Sequence, residues 1–178
     1  SFPTRRSSDL GADKPLPAKA FDRQGGVLHC SSFSKNLVAG FRVGWVAAGR
    51  HAQRIQRLQL MSTLSTSAPM QLALANYLGT RSYDSHLRKL RQVLEQRKNL
   101  ARQSLKRHLP YGTRINDSRG GYFLWIELPR QVNATQLYYR ALEHNISIAP
   151  GSMFSSGQQY ENYFRFNTAW PWDEDRKS

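Results

Sequence analysis

The sequence predicts an α/β protein, and three observations carry that reading. Short strand-like runs, mostly apolar and set off by glycine or small polar residues, recur along the chain at residues 27–30, 42–48, 122–128 and 146–149, with a more polar one at 113–116. Between them lie longer stretches whose apolar residues return at helical spacing, so both the two-residue and the 3.6-residue period are present. Hydrophobic residues make up 39% of 178 residues, with eight Phe, eight Tyr and four Trp, enough for a packed core.

Residues 11–26, with two prolines and three glycines around Phe21-Asp22-Arg23, read as a surface loop. A short strand follows at 27–30, and a second at 42–48, ended by Gly49. The near-continuous apolar content of Arg42-Val43-Gly44-Trp45-Val46-Ala47-Ala48 predicts a strand buried on both faces. Ile55 and Leu58, and less regularly Leu60 and Met61, place a helix over 51–61, with a polar break at 62–67. Pro69 suits the first turn of the next helix, which runs through Leu72, Leu74, Ala75 and Leu78 to Gly79. Ser82 is the expected cap of a long helix striped by Tyr83, Leu87, Leu90, Leu94, Ala101 and Leu105, closed by Pro110 and Gly112.

Two strands, 113–116 and 122–128, are joined by Asp117-Ser118-Arg119-Gly120-Gly121. Asn133 is placed as the N-cap of a helix ending at His144-Asn145. A strand at 146–149 then enters the turn Pro150-Gly151-Ser152-Met153-Phe154. The last motif is Tyr163-Phe164-Arg165-Phe166-Asn167-Thr168-Ala169, an arginine on a strand among aromatics.

Composition excludes several classes. One cysteine, Cys30, rules out an internal disulfide and fits a reducing, cytoplasmic setting; on a buried strand it is expected to be inert packing. No run is long and apolar enough for a membrane span. The net charge of +14 invites a nucleic-acid reading. The basic residues (Arg81, Arg88, Lys89, Arg91, Arg97, Lys98, Arg102, Lys106 and Arg107) fall on the long helix without a helix-turn-helix or zinc pattern, and read as its solvated faces. The five histidines show no pair at metal spacing, and Glu127 reads as structural.

Chemistry concentrates in Ser31-Ser32-Phe33-Ser34-Lys35-Asn36-Leu37-Val38-Ala39-Gly40-Phe41-Arg42-Val43-Gly44-Trp45. A strand delivers a lysine into a turn of small residues, two serines precede it, and an arginine follows seven residues later. These are the parts that hold an aldehyde-bearing, phosphate-bearing cofactor. An amine condenses with the aldehyde, hydroxyls donate to phosphate oxygens, and a guanidinium fork pairs with the dianion.

The run resembles the cofactor-lysine motif of pyridoxal-phosphate enzymes of the aminotransferase class I/II family, fold type I. The seven-residue lysine-to-arginine spacing followed by Val43-Gly44-Trp45 is similar to the aminoadipate-aminotransferase-like branch, which includes the aminotransferase-like domains of MocR-type (GntR family) transcription regulators. The Gly-Gly-aromatic strand 120–128 and the Ala-Pro-Gly-x-x-Phe turn carry the same resemblance into the second half. Three segments lean towards the regulators: Lys19-Ala20-Phe21-Asp22-Arg23-Gln24-Gly25, the stretch 146–151, and the Phe-Asn-x-x-Trp-Pro-Trp ending.

The resemblance implies the C-terminal part of a fold type I protein: the end of the large-domain sheet over 11–95 and a small α/β domain over 96–178. It implies pyridoxal 5'-phosphate as cofactor, Lys35 as its covalent and catalytic lysine, and Ser32, Ser34 and Arg42 as phosphate ligands. Arg165 is implied to clamp the carboxylate of an amino acid or amine ligand. A regulator would act as a homodimer and meet DNA through an N-terminal winged helix. The alternative is an aminotransferase moving an amino group between an amino acid and a 2-oxo acid. The family's aspartate for the pyridine nitrogen, ring-stacking aromatic and phosphate-binding turn are expected upstream of this sequence.

Ser1-Phe2-Pro3-Thr4-Arg5-Arg6-Ser7-Ser8-Asp9-Leu10 lacks apolar periodicity and back-translates to TCTTTCCCTACACGACGCTCTTCCGATCT, a short-read sequencing adapter. Residues 1–10 are therefore expected to be an artefact, and the chain a fragment cut at its N-terminus, with its C-terminus clipped as well.

Overall fold

The computed structural model describes residues 16–116, 121–157 and 159–171. Residues 1–10, the 117–120 linker between strands and the end of the chain from Trp172 lie outside them. The chain divides between Leu90 and Arg91 into two compact units.

The first unit starts with a single 3-10 turn, Ala18–Phe21. The Asp22 carboxylate gathers the loop behind it, accepting from Lys19 Nζ at 2.8 Å and from the amides of Gly26 and Val27 at 3.0 Å each. The Lys19 hydrogen bond, reinforced by the Val27 amide, holds this carboxyl well below its ordinary range. The loop is therefore held at neutral pH and released only as pH falls through that lowered value.

Strand β1 (His29–Ser32) pairs antiparallel with β2 (Gly44–Ala47), Ser32 opposite Gly44 and His29 opposite Ala47. Both strands differ from the prediction: β2 is shorter, and β1 sits two residues nearer the lysine. Arg42 explains part of the difference: at φ 52° and ψ 32° it is left-handed, so the extended chain resumes only after it. Burial on both faces is not observed. Val46 is 38% exposed and Cys30 is exposed, because among the described residues this sheet has only two strands, leaving edges and faces partly uncovered. Cys30 is thus not a packing residue here.

Helix α1 (Ala52–Thr63) forms where predicted, yet buries no residue; Leu58, Leu60 and Met61 all face solvent. Helix α2 (Ala68–Leu78) carries Pro69 in its first turn as predicted, and buries Leu74. Helix α3 (Arg81–His108) begins before Ser82, which lies inside it and is not its cap. Its stripe is the predicted one: Tyr83, Leu87, Leu94 and Ala101 are buried, with Leu90 and Leu105 half-buried. The reading of its basic residues as wholly solvated is corrected. Lys98 is buried on the stripe, Arg91 Nε is buried without a hydrogen bond, and an Arg97 guanidinium N–H donates to the Ala169 carbonyl. Long aliphatic stems let such residues cover apolar surface.

The second unit is an antiparallel four-stranded sheet in the order β3-β4-β6-β5, comprising β3 (Arg114–Asn116), β4 (Phe123–Glu127), β6 (Tyr163–Asn167) and β5 (Ala149–Pro150). The near-continuous apolar run of β4 conceals a strict alternation. Leu124, Ile126 and Leu128 enter a core with Ala101, Ala134, Ile148 and Phe164, while Phe123, Trp125 and Glu127 take the other face. Helix α4 (Ala134–Glu143) is capped by Asn133, whose side-chain oxygen accepts from the amides of Thr135 (2.9 Å) and Gln136 (3.1 Å). Asn145, at φ 58°, turns the chain out of it. Of the strand predicted at 146–149 only Ala149 joins the ladder, opposite Arg165; β5 continues to Pro150, opposite Phe164, where the missing N–H ends it.

Gly151, in the 3-10 turn Gly151–Phe154, is required by contact. A Cβ there would meet the Tyr160 carbonyl oxygen and lie 2.8 Å from the Cβ atoms of Tyr160 and Tyr163. Gly151→Ala is expected to cost about 3 kcal/mol in chemical unfolding, the upper range for forced overpacking. An unchanged midpoint would contradict the close packing.

Candidate functional site

The lysine turn is built from its apolar ends inward. The Phe33 amide donates to the Val43 carbonyl at 3.1 Å, closing the loop just beyond the β1–β2 ladder. The Leu37 and Asn36 amides both donate to the Phe33 carbonyl, at 2.9 and 3.4 Å, and wind residues 33–37 into a tight turn. Phe33 and Val43 are buried with Leu74 of α2 and with Tyr83 and Leu87 of α3; Leu37, Phe41 and Trp45 pack around them. This apolar seat leaves the sequence-predicted cofactor residues outside it. Ser32, Lys35 and Arg42 are exposed and Ser34 is half-buried.

Three of the four sequence-predicted cofactor residues form one hydrogen-bonded chain. The Ser34 amide donates to Ser32 Oγ at 3.1 Å, Ser32 Oγ lies 3.5 Å from the Val43 carbonyl, and Arg42 Nη1 lies 3.5 Å from Ser34 Oγ. The left-handed backbone at Arg42 brings its guanidinium back over the serines, a conformation that costs a non-glycine residue energy. Gly44 permits the close approach of the strands, since a Cβ would sit 2.8 Å from the Ser31 carbonyl. Among the described residues no carboxylate pairs with Arg42. Two hydroxyls and a guanidinium collected beside an exposed lysine form a donor set whose chemistry suits a phosphate dianion attached to an aldehyde.

Sequence reasoning missed what lies beneath this turn. His86 Nε2 is 2.7 Å from the Asn36 carbonyl, and Asn36 Nδ2 is 3.5 Å from the Tyr83 hydroxyl. The only sequence signal was the placement of Tyr83 and His86 three apart on one helix, with a polar residue directly after Lys35.

Arg165 belongs to the second unit. It sits on central strand β6, opposite Trp125 of β4 and Ala149 of β5. Its guanidinium carbon lies 4.3 Å from the Phe123 ring centre and 4.6 Å from that of Phe154, so the cation is held by two aromatic faces. Trp125 supports this arrangement, edge-on to Phe154 at 5.5 Å and to Tyr160 at 5.7 Å, and stacked on Tyr163 at 5.7 Å. Among the described residues Arg165 makes no ion pair. The aromatic neighbours were visible as a motif, but the role of Phe123 and Phe154 in gripping the cation was not.

Several other titratable groups are occupied. Burial pushes the Tyr163 phenol up, and its hydrogen bond to Glu127 adds to that shift. Glu127 also lies 3.8 Å from Arg114 across the β3–β4 pair. His108 Nδ1 is 2.8 Å from the Ser104 carbonyl, and His29 packs on Trp45 with ring centres 5.1 Å apart. Among the described residues no group of three His, Cys, Asp or Glu is placed to hold a metal, and no helix is long and apolar enough to cross a membrane.

The fold has counterparts among solved structures. The α-aminoadipate aminotransferase LysN of Thermus thermophilus, solved in complex with N-(5'-phosphopyridoxyl)-L-leucine, is 28% identical with a TM-score of 0.85, covering 93% of this chain and 43% of that one. A multiple substrate aminotransferase from Thermococcus profundus is 26% identical at the same TM-score, covering 93% and 41%. Residues 9–177 match the model of aminotransferase class I and II, and the chain belongs to that family. Curated relatives include the uncharacterized HTH-type transcriptional regulator YdcR of Escherichia coli (strain K12), 64% identical over 93% of this chain and 35% of that protein. The uncharacterized HTH-type transcriptional regulator YjiR of the same organism is 34% identical over 93% and 36%. The chain thus spans about a third of the length of these relatives.

Proposed function

We propose that this chain is the pyridoxal-phosphate-binding, aminotransferase-like part of a MocR-type (GntR family) transcription regulator, serving it as effector-sensing and dimerising module. The observation that carries the cofactor reading is the linked Ser32–Ser34–Arg42 donor set beside exposed Lys35. The 64% identity to an HTH-type regulator favours the regulator over a free-standing enzyme.

Ser34 would donate its hydroxyl to a phosphate oxygen, Ser32 would do so by turning its hydroxyl from the Val43 carbonyl, and Arg42 would supply the compensating charge. Lys35 would hold the cofactor's aldehyde carbon through its amine, the aldehyde oxygen leaving as water, and once freed would hold or return a proton at Nζ. When bound, pyridoxal phosphate supplies an electron sink for the carbon that carries the ligand's amino group. Arg165 offers two parallel N–H donors to the carboxylate of an amino acid, its plane fixed by Phe123 and Phe154. The first half, to about residue 95, ends the large cofactor-binding domain, and residues 96–178 form the small one. The partners are a second copy of the protein, a small amino acid or amine, and DNA reached through a winged-helix domain elsewhere in the longer protein. A cytoplasmic setting follows from that role.

The test is a titration of the full-length, cofactor-loaded protein with a panel of amino acids and 2-oxo acids, following visible absorbance and DNA affinity together. An effector is expected to change both, altering DNA affinity by about 5- to 150-fold, with no sustained amino transfer. Multiple turnovers with unchanged DNA affinity would return the aminotransferase reading, which the likeness to LysN keeps in view.

A further inference from the structure

We infer that His86 and Tyr83 form a positioning clamp on Asn36 that fixes the main chain directly after Lys35. The inference rests on the reading of Lys35 as the cofactor lysine and goes beyond it by naming what sets the reach of its amine.

Asn36 follows Lys35 directly, yet where Lys35 is exposed Asn36 is buried, with 8% of its surface accessible. It is held at both ends by one helix. A carbonyl oxygen can only accept, so the 2.7 Å contact fixes the proton of His86 on Nε2 and makes that group the donor to the Asn36 main chain. Three residues earlier on α3, one turn away, the Tyr83 hydroxyl meets the Asn36 amide nitrogen at 3.5 Å. These bonds join residues 47 and 50 apart in sequence, so they are tertiary features and not consequences of the turn.

The hydrophobic seat alone does not account for the clamp. Phe33, Val43, Leu74, Tyr83 and Leu87 already close it, and an apolar side chain at 36 would serve that purpose. The side chain present instead leaves Oδ1 buried without a hydrogen-bond partner, an uncompensated cost of the kind that accumulates at functional turns. What the polar side chain adds is a second anchor, on the Tyr83 hydroxyl, for the residue that follows Lys35; the peptide joining the two is itself held by the Asn36 main-chain amide on the Phe33 carbonyl at 3.4 Å. That anchoring matters chemically: a displacement of about 1 Å in a reacting group can lower reactivity by roughly a hundredfold. His86 and Tyr83 bond to Asn36 and so act on Lys35 through its neighbour, which makes them positioning residues.

The test uses the full-length protein with pyridoxal phosphate, measuring how fast the visible absorbance of the lysine-bound cofactor decays on dilution and the pH midpoint of that absorbance. His86→Ala is expected to accelerate decay about tenfold, the equivalent of one lost buried hydrogen bond, and to shift the midpoint. His86→Gln, which keeps an N–H donor, is expected to restore most of the wild-type behaviour. Tyr83→Phe keeps the ring and its packing, and is expected to move both readouts in the same direction by a smaller factor, which covers the case in which His86→Ala does not fold. Wild-type decay and midpoint in both His86→Ala and Tyr83→Phe would overturn the clamp, as would a His86→Gln variant as impaired as His86→Ala. Absence of the absorbance from the wild-type protein would overturn the Lys35 reading and the clamp with it, so the two failures are distinguishable.

Discussion

Replacing Lys35 with alanine in the full-length, cofactor-loaded protein is expected to abolish the visible absorbance of the lysine-bound cofactor. Only an amine can make that bond, and residues 31–45 contain no other lysine. The rest of the turn should survive the change. Phe33, Leu37, Phe41 and Val43 anchor it without help from Lys35, whose side chain is exposed. The donor set of Ser32, Ser34 and Arg42 also remains. The variant is therefore expected to keep a weaker, dialysable affinity for the phosphate-bearing cofactor and a folded far-ultraviolet spectrum. Persistence of the band in Lys35→Ala would mean that another amine forms the bond.

The second large effect is expected at Arg165. A carboxylate ligand that loses the guanidinium partner it is paired with forfeits about 3 kcal/mol, so Arg165→Gln should raise the apparent Kd for an amino acid effector by roughly a hundredfold. Arg165→Lys should not rescue it. The two aromatic faces, 4.3 and 4.6 Å from the guanidinium carbon, suit a planar cation, and a lysine offers neither the plane nor the fork. Cofactor absorbance without effector should be unchanged in both variants. An Arg165→Gln protein that responds to amino acids at wild-type concentrations would remove the carboxylate role and leave a structural arginine in an aromatic cluster.

Local chemistry made much of this architecture legible. Pro69 marked the first turn of α2, Asn133 the cap of α4, and the stripe from Tyr83 to Leu105 the course of α3, because each signal acts within one or two turns of its own residue. The lysine turn was legible for a similar reason: its serines, lysine and arginine are close in sequence, and the loop has only to close once.

Properties decided by other parts of the chain were not legible. The apolar composition of β2 predicted burial, but burial depends on neighbouring strands, and the described sheet has only two. Cys30 is exposed for that reason. Lys98 looked like one more solvated cation on a basic helix, yet its position four residues after Leu94 turns it onto the buried stripe. The left-handed conformation of Arg42 had no glycine or asparagine to announce it, and the bonds from Tyr83 and His86 to Asn36 needed the tertiary fold.

The most direct measurement reduces the full-length, cofactor-loaded protein with borohydride and locates the added phosphopyridoxyl mass by peptide sequencing in a mass spectrometer. Attachment at Lys35 is the predicted result. A label on a different lysine, or none on a protein that has bound the cofactor, would contradict the assignment of this turn as the place where the chain holds pyridoxal phosphate.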